Sequence, residues 1–179
     1  MNKKTKVITT TAMLSAIAGV LMLWEFPIPL FPVFLEIDFS DLPALLAAFL
    51  LGPAAGGVVV FMKIIINLMF NSTVTGFIGE AANFIIGIAF ILPAGLVYKS
   101  NKTKKGALTG MLAGIISMAV LGALANYFIL IPLYIKEIST SDLTKLVLFS
   151  IVPFNILKGT MVSLLTLLIY KRLSHLFKQ

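Results

Sequence analysis

The stretch Leu146-Val-Leu-Phe-Ser-Ile-Val-Pro-Phe-Asn-Ile-Leu-Lys-Gly-Thr-Met-Val-Ser-Leu-Leu-Thr-Leu-Leu-Ile-Tyr170 decides the fold. Its 25 residues carry one charge, Lys158. As an α-helix rising ~1.5 Å per residue, the stretch outspans a hydrocarbon core of roughly 30 Å. Lys158 lies thirteen residues from both Lys145 and Lys171, so about 20 Å of helix separates it from each end. Its stem is too short to snorkel to either headgroup layer. A buried lysine there costs about 2.5–3.5 kcal/mol on insertion scales. It therefore either hydrogen-bonds to a neighbouring helix or faces a cavity and ligand. Asn155, three residues earlier, falls on the same helix face. Pro153 removes a backbone donor and frees a carbonyl in the same stretch.

The rest of the chain agrees with a membrane setting. Its 179 residues are 59% apolar and 12% charged, against roughly 45–50% and 25% in soluble domains. The mean hydropathy is +1.05. These values exclude soluble architectures, disordered tails and nucleic-acid modules. With no cysteine there is no disulfide framework, thiol nucleophile or thiolate metal site. The single histidine, His175, sits among Lys171, Arg172 and Lys178, away from any Ser–His relay or metal cluster within the membrane.

Charges and Gly-Pro punctuation divide the chain into six apolar segments, predicting one membrane domain over 1–179. Its helices fall near 7–24, 40–51, 54–70, 81–98, 106–130 and 146–170. Val7–Trp24 has no charge and lacks a small-residue cleavage site, so it reads as a retained helix. The second segment stops at Gly52-Pro53 and is only about half a bilayer long. It must pack inside the protein. The connection from Glu25 to Asp41 holds Pro27, Pro29 and Pro32, which forbid a regular helix. A long irregular loop of this kind suits a lid.

Loop charges set the orientation. Lys3, Lys4 and Lys6, the group Lys99, Lys102, Lys104 and Lys105, and the group Lys171, Arg172 and Lys178 all fall on one side. The opposite loops are acidic (Glu25, Glu36, Asp38, Asp41), nearly uncharged (71–79), or balanced, with Lys136 and Lys145 against Glu137 and Asp142. Both termini are therefore expected inside a bacterial cell membrane, as a multi-pass protein. The Lys/Ile-rich, cysteine-free composition suits a low-GC bacterium.

Polar residues recur within the spans: Asn126 in the fifth, Asn83 at the fourth, and Lys63 and Asn67 in the third. An asparagine amide offers paired donors and an acceptor, suited to an amide or imide edge. Each alone also serves as interhelical glue. Together with Lys158 they predict a polar pocket. No Asp or Glu lies inside a span, with Glu80 only at the start of the fourth, so the pocket is expected to lack the second charge that pumping needs. Cargo is then bound rather than pumped by this chain. Neither a paired-carboxylate nor a Ser–His arrangement exists for an intramembrane hydrolase. On the first helix, Ala12 and Ala16, with Ser15 and Gly19 beside them, form a small-residue stripe for close approach of another helix, within the chain or outside it.

These segments resemble the substrate-binding S components of energy-coupling factor (ECF) transporters, and within that family its riboflavin-specific members. The likeness covers nearly the whole length. It rests on Phe34-Leu-Glu-Ile-Asp-Phe-Ser-Asp-Leu-Pro-Ala-Leu45, Leu51-Gly-Pro53, Gly79-Glu-Ala-Ala-Asn-Phe84, Asn126-Tyr-Phe-Ile-Leu-Ile-Pro-Leu-Tyr134 and Pro153-Phe-Asn-Ile-Leu-Lys-Gly159. The resemblance implies an all-α, six-transmembrane-helix bundle with an outward vitamin pocket capped by the first loop. It implies riboflavin as cargo, with no further cofactor, contacted by Asn126, Asn155 and Lys158. Asn83, Leu35 and Asp38 join this expected set, and Phe34 with the Tyr127/Phe128 pair supplies apolar cover. Lys63 and Asn67 belong to it less directly, because the family commonly has Asn directly after the lysine where this chain has Ile64. Ala12 and Ala16 resemble the motif that docks onto a transmembrane coupling protein. Two ABC-type ATPases complete the implied assembly, consistent with the absence here of a phosphate-loop motif. Another vitamin (thiamine, biotin or folate) or a non-transport assembly role are the alternatives.

Overall fold

In a computed structural model, residues 2–70, 77–135 and 137–177 are described. Gly76, Lys136 and Lys178, and most of the uncharged 71–79 loop, lie outside the described residues, as do the side chains of Lys171, Arg172 and His175. The described chain forms a six-helix bundle: α1 Lys3–Met22, α2 Asp41–Leu50, α3 Pro53–Phe70, α4 Ile78–Ser100, α5 Lys104–Tyr134 and α6 over 140–177. All but α2 are long and apolar enough to cross a membrane. The observed ends differ from the sequence expectation mainly by extension. The basic flank of α1 is already helical from Lys3, and α6 starts at Thr140, where Ser139 caps it by accepting from the Asp142 N–H. A capped turn outside the apolar run lengthens a helix without changing its hydropathy signal.

The short α2 is the centre of the bundle. Eight of its ten residues are buried, Leu45 and Ala47 completely. Gly52 turns the chain out of it at φ +113°, a conformation that favours glycine, and Pro53 opens α3 with φ already set for a helix. The α4–α5 pair is packed through small residues. A Cβ on Gly110 or Gly114 would meet the Ala94 or Phe90 carbonyl oxygen at 2.7 or 2.6 Å. This is the close backbone approach that small residues at four-residue spacing permit between membrane helices.

Both α5 and α6 are interrupted by one π-helical turn, Asn126–Leu130 and Val147–Ile151. The cause is the same in each. Pro132 and Pro153 have no N–H to give to the carbonyl four residues back. The residue before each proline, Ile131 or Val152, bonds instead five back, to Asn126 O or Val147 O. π turns frequently mark functional sites, and these two face the same end of the bundle.

The 25–41 connection is not structureless. Phe26–Pro27 (β1) pairs antiparallel with Glu36–Ile37 (β2), Phe26 opposite Ile37. Phe31 meets Phe154 edge-on at 5.4 Å, and Phe34 meets Tyr134 at 5.9 Å. These contacts lay the hairpin across α5 and α6.

Candidate functional site

Beneath that hairpin lies a cavity of about 740 Å³, within the usual range for small-molecule sites of roughly 300–1,000 Å³. It sits where α1 and α3 finish and α4 begins. Leu35, Asn83, Asn126, Asn155 and Lys158 of the expected set all line it, together with Phe34 and Asn67. Asn126 opens the π turn of α5 and gives one amide hydrogen to Gly122 O at 2.8 Å. Asn155 is 2% exposed, and its Nδ2 has no hydrogen-bond partner among the described residues. A buried donor left unpaired costs about 1–3 kcal/mol, which makes this amide a candidate ligand donor.

Three expectations need correction. Lys158 is not without a counter-charge: its Nζ donates to Asp38 Oδ2 at 2.6 Å. Asp38 belongs to no helix, but β2 turns it inward until it is 1% exposed. It is therefore absent from the cavity wall and acts through Lys158. Lys63 also leaves the cavity set, because it is fully buried and bonded to Asp41 Oδ1 and Ser40 Oγ, each at 2.6 Å. Finally, Phe128 is 70% exposed on the outer face of α5, and Tyr127 packs against the cluster of Ile131, Leu143, Val147 and Ile151, and neither lines the cavity.

The two ion pairs form one buried chain. Asp38 Oδ1 accepts from the Ser40 N–H at 2.7 Å and from the Ser40 hydroxyl, whose oxygen accepts from Lys63. Desolvation is offset because each carboxylate has a short charge-assisted partner. An ammonium carries three hydrogens. Lys158 gives one to Asp38 and keeps the others for the cavity that it borders.

Sequence reasoning missed Glu25, Glu36 and Glu80, which also line the cavity. For Glu80 a signal existed, since it precedes Asn83 by one helical turn on α4. Glu25, just beyond α1, has its carboxyl pushed up to about 7. Burial is the main cause, followed by the Glu36 and Asp38 carboxylates, with Lys158 opposing.

The small-residue stripe of α1 divides into two adjacent rows. Ser15 and Gly19 are buried, Gly19 so tightly that a Cβ would lie 2.5 Å from an Ile66 methyl. Ala12 and Ala16, on the adjacent row of the same helix, are exposed.

The chain matches the family model "ECF transporter, substrate-specific component" over residues 6–170. It is 38% identical to riboflavin transporter RibU of Staphylococcus aureus (strain TCH60), over 99% of this chain and 95% of that protein. It is 36% identical to riboflavin transporter FmnP of Bacillus subtilis (strain 168), over 98% and 96%. A solved structure described as the S component of a bacterial ECF transporter superposes with a TM-score of 0.85 at 39% identity, over 99% of this chain and 100% of that one. This multi-pass membrane protein belongs to the substrate-specific components of ECF transporters.

Proposed function

We propose that this chain captures riboflavin from outside the cell and presents it to an ECF transport module. The observation that carries the reading is the cavity beneath the hairpin, which sets the unpaired Asn155 amide, Lys158 and Asn126 on one wall. Two relatives of nearly full length that are named riboflavin transporters support the choice of cargo. Isoalloxazine presents carbonyls and an imide N–H along one edge, which suit amide and ammonium donors and an amide acceptor. The basic loops support an open end of the cavity that faces outside.

ATP hydrolysis belongs to two partner subunits, and a transmembrane coupling protein links them to this chain. Riboflavin is cargo, and no other cofactor is required. The exposed Ala12 and Ala16 face of α1 is the docking surface, where small side chains admit a second helix. Delivery inward then follows from tilting of the whole bundle in the membrane.

The first test is the visible absorbance of the protein purified in detergent. A flavin spectrum released only on unfolding is expected. A colourless protein that also ignores added riboflavin would remove riboflavin as the cargo. Replacing Ala12 or Ala16 with Trp should leave flavin affinity unchanged and lower uptake by the assembled transporter. Lost binding in those variants would make the stripe part of the fold.

A further inference from the structure

The cavity holds two kinds of polar group at different depths. Deep in α5 and α6 are Asn126, Asn155 and Lys158. Around the end where α4 begins are Glu80, in its first turn, and the carboxylates of Glu25 and Glu36. Among the described residues, neither the buried Glu80 Oε2 nor the buried Asn155 Nδ2 has a hydrogen-bond partner. Asn155 offers a donor and Glu80 an acceptor to the same cavity. Each is costly unless something pairs with it. Lys158 does not pair with Glu80, because its described bond goes to Asp38.

An ionised carboxylate only accepts hydrogen bonds. A ligand group facing Glu80 must therefore be a donor. The donors of riboflavin are the imide N–H and the ribityl hydroxyls. The imide edge alternates acceptor, donor and acceptor, which suits the mixed amide and ammonium set in the deep part. The cluster of glutamate carboxyl oxygens at this end suits a run of hydroxyls. Resting on the riboflavin reading, we infer that Glu80 is a specificity residue that accepts a hydrogen bond from the ribityl chain, the flavin ring lying toward Asn155 and Lys158.

The test compares riboflavin with lumiflavin, in which a methyl group replaces the ribityl chain. Both are titrated by fluorescence quenching against the parent, Glu80→Leu and Glu80→Gln, with unfolding temperatures measured without ligand. Glu80→Leu should weaken riboflavin roughly 10–100-fold, as loss of a charged hydrogen bond does, and leave lumiflavin affinity unchanged. Glu80→Gln keeps one acceptor oxygen and should fall between, and it carries the comparison if the leucine variant does not fold. Equal weakening of both flavins, or unchanged riboflavin affinity, overturns the assignment. A parent that binds neither flavin is a separate result that sinks the riboflavin reading beneath it.

Discussion

Lys63–Asp41 and Lys158–Asp38 are the same chemical object in two settings. Both are 2.6 Å ion pairs between a helix lysine and an aspartate at or just before the start of α2, and Ser40 joins them. Lys63 is fully buried, bonds both Asp41 and Ser40, and borders no part of the cavity wall. Lys158 makes one of its bonds to Asp38 and borders the cavity. The difference teaches that a buried lysine is not by itself a site. What separates the two is the open cavity in front of Lys158.

The largest expected effect breaks the closed pair. Lys63→Met alone should destabilise the protein by about 3–5 kcal/mol, because it leaves the Asp41 carboxylate buried without its counter-charge. The double variant Lys63→Met/Asp41→Leu should recover most of that loss, since a well-packed apolar pair often matches a buried ion pair. Thermal unfolding in detergent of the two single variants and the double checks this. A double variant as unstable as the singles would mean that the pair holds α2 and α3 in a way that packing cannot replace.

The open pair should respond in binding. Lys158→Met is expected to lower riboflavin affinity by at least about tenfold, with a charged donor lost from the cavity. It also strands Asp38, so unfolding must be measured beside it, and Lys158→Met/Asp38→Asn separates the two effects. If affinity returns in the double variant, Lys158 only neutralises Asp38 and does not touch the ligand.

The smallest effect concerns pH at the cavity's mouth. The carboxyl of Glu25 is raised from 4.5 to about 7, so folding favours its protonated form. Its contribution is fully present below about pH 4.5 and is lost as pH rises through about 7. Glu25→Gln should therefore unfold at a higher temperature than the parent at pH 8 and at the same temperature near pH 4. Because Glu25 is only partly buried, solvent screening keeps the difference small. A gap independent of pH would contradict the shift.

Much of this was legible in the sequence because membrane spans are long, local signals. The short α2, the central Lys158 and the Asn155 face followed from counting residues between charges and proline. The pairing of Lys158 with Asp38 did not, because 120 residues separate them and Asp38 reads as one acid in a solvated loop. Only the inward turn of β2 brings it home. Pro132 and Pro153 were visible, but the π turns depend on which carbonyl the preceding residue reaches. The exposed Ala12 and Ala16 and the buried Ser15 and Gly19 share one small-residue pattern, and only packing against Ile66 of α3 tells them apart.

The most direct test of the contrast is a riboflavin titration of the flavin-stripped protein, followed by fluorescence quenching, on the parent, Lys158→Met and Lys63→Met/Asp41→Leu. Tight stoichiometric quenching by the parent, retained in the Lys63/Asp41 double variant and weakened in Lys158→Met, is the predicted result. Equal affinity in Lys158→Met and the parent, with both folded, would contradict the assignment of the open pair to the binding site.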